Sequence, residues 1–412
     1  MKTTLMSLLL LASVGIEAQN LPQTFNLADA PRYSEKTGYG YDRVDTPKKD
    51  SNAPFYFSVR VPDGNYLVTV RLGSKKQAGN TTVRAESRRL FIENLPTKKG
   101  EFIEETFIVN KRSPRISAKE SVKIKEREKS KLDWDDRLTI EINGDAPVCE
   151  SIRVEATDAS IPTIFLCGNS TVVDQENEPW ASWGQMIPRF FNSGIAIANY
   201  AESGESANTF IAAKRLKKAL SIMKKGDYLL VEFGHNDQKQ KGPGKGAYYS
   251  FMTNLKTFID EVRAKGGQPV LVTPTRRRKF DKEGRTVNTH GEYPDAVRWI
   301  AAKENVPLIE LNDMTGTLYE ALGESESKKA FVHYPMGSFP GQKKKLEDNT
   351  HFNPYGAYQI AKCVIEGMKK ATPELVKYLK TDISYDPAKP DDIASFHWCP
   401  APFCEMEKPD GN

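Results

Sequence analysis

The stretch Phe165-Leu-Cys-Gly-Asn-Ser-Thr-Val-Val-Asp-Gln175, FLCGNSTVVDQ, runs from an apolar strand into a tight polar turn with Ser170 at its tip. A serine in that position ordinarily caps a helix or closes a turn. What surrounds it decides the fold. Apolar runs of four to six residues alternate with amphipathic segments of helical length: 164–167 then 180–191, 195–199 then 208–222, 228–233 then 248–264, 269–272 then 295–304, and finally 307–311. This succession predicts an α/β architecture, a parallel sheet with helices on both faces. Ligands of such sheets gather at the carboxyl ends of the strands, where the turn at Ser170 lies.

Toward the N-terminus the pattern differs. The runs 55–61, 66–72 and 138–142 are rich in β-branched and aromatic residues and often alternate, and turn signals such as Pro62-Asp-Gly-Asn65 and Asn143-Gly-Asp145 separate them. They predict an all-β sandwich. The expected organisation is a leader over 1–18, a β-sandwich domain over 19–157 and an α/β domain over 158–412. Within the sandwich, the segment 111–131 is so dense in Lys, Arg, Glu and Ser that it reads as a solvated loop or an edge strand. The leader has Lys2, an apolar run over 8–12 and Glu17-Ala18, the layout of a secretory signal too short to span a bilayer. The expected location is therefore secreted or periplasmic, without membrane insertion.

The composition, 39% hydrophobic and 27% charged over 412 residues, is that of a globular chain with enough length for two cores. The net charge of +5 is mild, and the basic residues are interleaved with acids, which argues against nucleic-acid binding. The five cysteines are an odd number, and Cys399 and Cys404 could close a small loop in an oxidising compartment. Neither the cysteines nor the five scattered histidines have zinc-ligand spacing, so no metal is expected.

Unusual residues collect in the turns after the predicted strands. These are Gly168-Asn-Ser170, Glu202-Ser-Gly-Glu-Ser206, Gly234-His-Asn-Asp237 and, before the last helix, Asp348-Asn-Thr-His351. Acyl transfer needs a nucleophile, a base, a group that orients the base, and donors aimed at the developing oxyanion. Ser170, His351 and Asp348 would fill the first three roles. The backbone N–H groups of Ser170 and Gly204 and the side-chain amide of Asn236 would form the oxyanion hole. Singly, each has a plainer reading: Asp348 and Thr350 could begin a helix, and Gly204 could serve a turn. Together they occur in order at the ends of successive elements.

This ordered set resembles the SGNH (GDSL-type) hydrolases, and the blocks EPWASWGQMIPRFF, YAESGESANTF, VEFGHNDQK and DNTHFNPYGAYQIA resemble the rhamnogalacturonan acetylesterases among them. The resemblance covers roughly 162–370. It implies a flavodoxin-like parallel sheet, no cofactor, Ser170 as nucleophile, His351 as base oriented by Asp348, and Gly204 and Asn236 in the oxyanion hole. One position departs: the family block usually reads Gly-Asp-Ser, and here Asn169 stands in the middle. The implied substrate is an acetylated acidic polysaccharide, so basic residues at the same rim are candidate contacts: Lys239 beside the Asn236 turn, the run Arg276, Arg277 and Arg278 after the fourth strand, and His235. A lipase or thioesterase of the same scaffold and a catalytically silent sugar binder are the competing readings.

Overall fold

The computed structural model of the protein describes residues 19–43, 52–381, 383–402 and 408. The expected leader over 1–18 and the pairing of Cys404 lie outside the described residues. A nine-stranded sheet is the spine of the molecule. Its parallel half has the order Ala196–Asn199, Thr163–Gly168, Tyr228–Glu232, Gln268–Val272 and Leu308–Ile309. Numbered along the chain that is 2-1-3-4-5, the flavodoxin-like order whose ligand crevice lies at the carboxyl ends beside the first strand.

These strands are buried on both faces, so they read as continuous apolar runs. Alternation still sorts their side chains. Ile164 and Leu166 join one apolar core with Trp183, Ile187 and Ile360, while Phe165 and Cys167 join another with Phe210, Phe258 and Ile300. Helices Trp183–Met186 and Pro354–Ala371 cover the first face; Ala207–Ala212, Met252–Ala264 and Tyr293–Glu304 cover the second. Two predicted helices are broken. The one expected over 180–191 is a single α-turn followed by a 3-10 turn containing Pro188, and the one expected over 208–222 divides at Lys214, where φ is +65°. No helix among the described residues is long and apolar enough to cross a membrane.

The other half of the spine comes from the N-terminal region. Gln23–Asn26, Cys149–Ala156, Gly64–Gly73 and Phe102–Lys111 are antiparallel to one another, and Phe102–Lys111 then pairs in parallel with Ala196–Asn199 at Val109 and Ile197. A second antiparallel sheet, Tyr39–Asp42, Phe55–Arg60, Arg137–Ala146, Gly79–Ala85 and Arg89–Thr97, shares a core with this half, with Val68, Val70 and Val154 on one side and Phe57, Val59 and Ile140 on the other. The N-terminal region is thus all-β and built of two sheets, one of which continues into the parallel sheet.

The basic segment departs most from its expected place. It is solvated in part, with Arg115, Lys119, Lys123, Glu126 and Lys129 exposed, but it is not an edge strand of either sheet of this region, and others of its residues reach into the α/β half. Arg115–Ser117 and Glu120–Ser121 form a separate ribbon, Glu126–Ser130 forms a 3-10 turn, and Val122 and Trp134 lie in the second α/β core. Lys111, Arg112, Glu128 and Lys131 are buried. Long basic stems cover apolar surface well while their tips pair with acids, which the composition of the segment does not reveal.

Candidate active site

The turn after Thr163–Gly168 is built by its own side chains. Gly168 is required by close approach, since a Cβ there would lie 2.5 Å from Val172 Cγ2 and 2.9 Å from the Glu232 carbonyl oxygen. Asn169 Oδ1 accepts from the Thr171 N–H at 3.1 Å and the Thr171 hydroxyl at 2.9 Å, and the Asn169 carbonyl accepts from the N–H groups of Val172 and Val173. This Asx-type turn presents Ser170. The side-chain Nδ2 of Asn169 is buried without a hydrogen-bond partner among the described residues.

Below the turn sits Glu232, which sequence reasoning missed. Its carboxyl is fully buried and accepts from Trp183 Nε1 at 2.5 Å, the Thr171 hydroxyl at 2.9 Å and the Thr275 N–H at 3.2 Å. Burial pushes it up to about 7 against the pull of those donors. A glutamate ending the otherwise apolar run Tyr228–Glu232 was the available signal.

His351 and Asp348 lie on the strand Leu346–Phe352, which pairs antiparallel with Phe331–Tyr334. Phe331 faces Phe352 and the next residue, Val332, faces Asp348, so 349–351 bulge out of the ladder. The bulge folds Asp348 back on its own strand: Oδ1 accepts from the N–H groups of Thr350 and His351, and Oδ2 lies 2.8 Å from His351 Nδ1. His351 Nε2 in turn lies 2.8 Å from Ser170 Oγ. Burial raises the Asp348 carboxyl, but hydrogen bonds to His351 and its charge, with the two backbone donors, outweigh it and hold the group well below the usual carboxylate range. The helix-start reading of Asp348 falls away, because Asn353 caps Pro354–Ala371 by accepting from the Gly356 N–H.

Hydrogen bonds between turns bring the other candidates to the same rim. The Gly168 carbonyl accepts from the Glu202 N–H, and the Glu205 carbonyl accepts from Asn236 Nδ2 at 2.9 Å, which leaves the second amide hydrogen of Asn236 for a ligand. Asp237 accepts from the N–H groups of Ala207 and Gly234, at 2.8 and 2.9 Å, and so ties the second and third turns together. Gly204 has φ +80°, a conformation that favours glycine. Among the described residues, no protein acceptor meets the N–H of Ser170 or of Gly204. An ester carbonyl at Ser170 Oγ would therefore find a nucleophile, an oriented imidazole as its base, and N–H donors.

The basic candidates divide. Lys239 Nζ reaches Asn236 Oδ1 at 3.3 Å, and Arg277 Nη2 donates to the His235 carbonyl at 3.1 Å, so both adjoin the third turn. Arg276 bonds Asn312 and Thr286 and pairs with Asp313, while Arg278 is buried and bonds Ser327, Asn349 and the Glu324 carbonyl. Arg277 is held as well, with its Nη1 donating to Thr289 Oγ1 at 3.4 Å, so the guanidinium groups of all three meet acceptors of the protein itself. The His235 ring is buried edge-on against His290, with centroids 4.4 Å apart, and neither ring has a hydrogen-bond partner among the described residues. Burial, then the charges of His290, Arg277, His351 and Lys239, push His235 well below its ordinary value, so it is neutral. Elsewhere, Asp145, His397 and Cys399 bring three donor atoms within 4.8 Å of one another at the C-terminal tail, a grouping hidden by the sequence separation of 252 between Asp145 and His397.

Residues 166–357 match the GDSL-like Lipase/Acylhydrolase family. The rhamnogalacturonan acetylesterase RhgT of Bacillus subtilis is 43% identical over 209 residues, which are 50% of this chain and 89% of that protein. A probable rhamnogalacturonan acetylesterase of the same organism, YesY, is 32% identical over 212 residues, 50% of this chain and 92% of the relative. The uncharacterized esterase YxiM of B. subtilis is 25% identical over 319 residues, 76% of this chain and 74% of its own length. The chain belongs to the GDSL-like (SGNH) lipase/acylhydrolase family, and is a carboxylic ester hydrolase.

Proposed function

We propose that this chain is an exported carbohydrate esterase that removes acetyl groups from an acidic polysaccharide of the pectin class, rhamnogalacturonan. The observation that carries the reading is the continuous relay from Ser170 Oγ through His351 to Asp348, each link 2.8 Å long. Its substrate side is supported by the names of RhgT and YesY and by the cationic Lys239 and Arg277 beside the Asn236 turn. The unpartnered ring of His235 adds a polar contact there.

In the reaction, Ser170 Oγ bonds to the acetyl carbonyl carbon while His351 Nε2 takes its proton, and Asp348 stabilises the imidazolium that forms. The N–H groups of Ser170 and Gly204 and the Asn236 amide hold the oxyanion. Collapse breaks the ester C–O bond, and His351 returns the proton to the departing sugar oxygen. Water then attacks the acetyl-enzyme by the same relay, releasing acetate and restoring the serine.

The test compares acetate release from acetylated rhamnogalacturonan fragments with hydrolysis of a long-chain lipid ester. Wild-type protein is expected to favour the first. Ser170→Ala and His351→Ala each lose several orders of magnitude in kcat while remaining folded, because members of a triad act as a unit. A preference for the lipid ester supports the lipase reading; no turnover of either supports a silent binder.

A further inference from the structure

The oxyanion loop 202–205 is gripped from behind by the N-terminal β region. Lys125 Nζ donates to the Ser203 carbonyl at 2.5 Å, and Arg127 Nη2 donates to the same oxygen at 3.1 Å. Arg127 also pairs with Glu202, Lys131 reaches the other Glu202 oxygen at 3.2 Å, and Lys125 lies 3.2 Å from Glu205. The segment is itself anchored: buried Glu128 accepts from the Lys125 N–H at 2.7 Å and from Trp134 Nε1 at 2.9 Å, and pairs with Arg215 of the α/β region.

We propose that Lys125 and Arg127 are positioning residues for the oxyanion hole, acting through the peptide that joins Ser203 to Gly204. The inference rests on the reading of the Gly204 N–H as an oxyanion donor. A trans peptide is planar, and its C=O and N–H point in opposite directions. The only cis peptides among the described residues precede Pro22 and Pro179. Two cations holding the Ser203 oxygen therefore fix the Gly204 N–H in the opposite direction, away from them. Glycine at 204 has the least steric resistance to rotating that peptide, so an external grip matters most there.

Two electrostatic consequences follow. A carbonyl that accepts from two cations is polarised, which makes the N–H of the same peptide a stronger donor. Arg127 and Lys125, with Lys131 and Arg215, also offset the carboxylates flanking the donor peptide, Arg127 at Glu202 and Lys125 at Glu205. Burial would raise Glu202, yet Lys131, Arg215 and Arg127 bring it down to about 2. Without those partners, the charge of Glu202 would oppose the negative charge of the transition state.

The test uses the full chain with Lys125→Met, Arg127→Gln and the pair, and Lys129→Met as the control, since among the described residues Lys129 pairs only with exposed Glu126 on the same turn. The Lys125 side chain is 30% exposed, so its truncation leaves no deep cavity. The expected result is a fall in kcat for acetyl release of about tenfold for each single variant and about a hundredfold for the pair, with KM within about twofold. Affinity for a boronic acid, which forms a tetrahedral adduct, falls by the same factor as kcat. Lys125→Arg restores both to within about threefold. Should unfolding curves show the pair to be partly unfolded at the assay temperature, Lys125→Met and Lys125→Arg decide. The proposal is overturned by unchanged kcat and boronate affinity in Lys125→Met, or by losses that only track the unfolded fraction. Ser170→Ala run alongside separates the two failures: if it keeps full turnover, the esterase reading itself is wrong, whereas a dead Ser170→Ala beside a fully active Lys125→Met removes only the clamp.

Discussion

Two basic runs, the mixed segment from Lys125 to Lys131 and the purely cationic triplet from Arg276 to Arg278, do the opposite of what their composition suggests. The first, in the β region, reads as solvated but reaches across to the oxyanion loop. The second stands at the rim of the site and reads as a carboxylate cradle, but its three guanidinium groups hold the protein's own loops together, Arg277 by bridging His235 and Thr289. A cation's position in the sequence says little about its partner. What decides is where acids and carbonyls lie once the sheets have met, and the supply of buried acceptors at 202–205 was set by a different part of the chain.

The contrast within the arginine triplet is the sharpest place to break this account. Arg278→Gln removes a buried charge whose donors reach Ser327, Asn349 and the Glu324 carbonyl, and should cost about 3 kcal/mol in stability by denaturant unfolding. Loss of that order, with equal effect on acidic and neutral substrates in what remains folded, fits a structural arginine. Arg277→Gln, which removes the contacts to the His235 carbonyl and Thr289, should cost less, about 1 kcal/mol, and in addition raise KM for acetylated galacturonan-containing fragments by about tenfold while leaving kcat for para-nitrophenyl acetate unchanged, with added salt reproducing the change. If Arg277→Gln and Arg278→Gln behave alike on both substrates, the division drawn here between them is wrong.

The site was legible where chemistry is local and obscure where it is assembled at a distance. Gly168, Ser170, Gly204, Asn236 and the Asp348/His351 pair all stand in short turns at strand ends, and the strands before the first three turns are apolar runs that could only be interior. The pairing of Val109 with Ile197, which fuses the two halves into one sheet, has no signature in either strand alone. Glu232 was hidden for another reason: its partners Thr171, Trp183 and Thr275 come from three separate segments. The bulge at 349–351 was invisible as well, because a strand and a helix start share the same polar residues there.

Asn169 carries the smallest expected effect. Its Oδ1 makes the turn-holding contacts that a carboxylate oxygen would also make, while Nδ2 makes none among the described residues, so the amide adds little. Asn169→Asp puts a second buried carboxylate beside Glu232, with the Thr171 hydroxyl between them. Activity should stay within a barrier change of ~1.4 kcal/mol of the starting protein. A thousandfold rise would mean that the natural turn is impaired and would return the silent-binder reading to the front.

The central claim is that Ser170, served by His351, is the nucleophile of an ester hydrolase. Stoichiometric treatment with a serine-directed fluorophosphonate, followed by peptide mass mapping, tests it in one step. One adduct per chain is expected on the peptide carrying Ser170, with acetate release falling in proportion to labelling and no adduct in His351→Ala. An adduct on another residue that abolishes turnover, or complete labelling of Ser170 with acetate release undiminished, would contradict it.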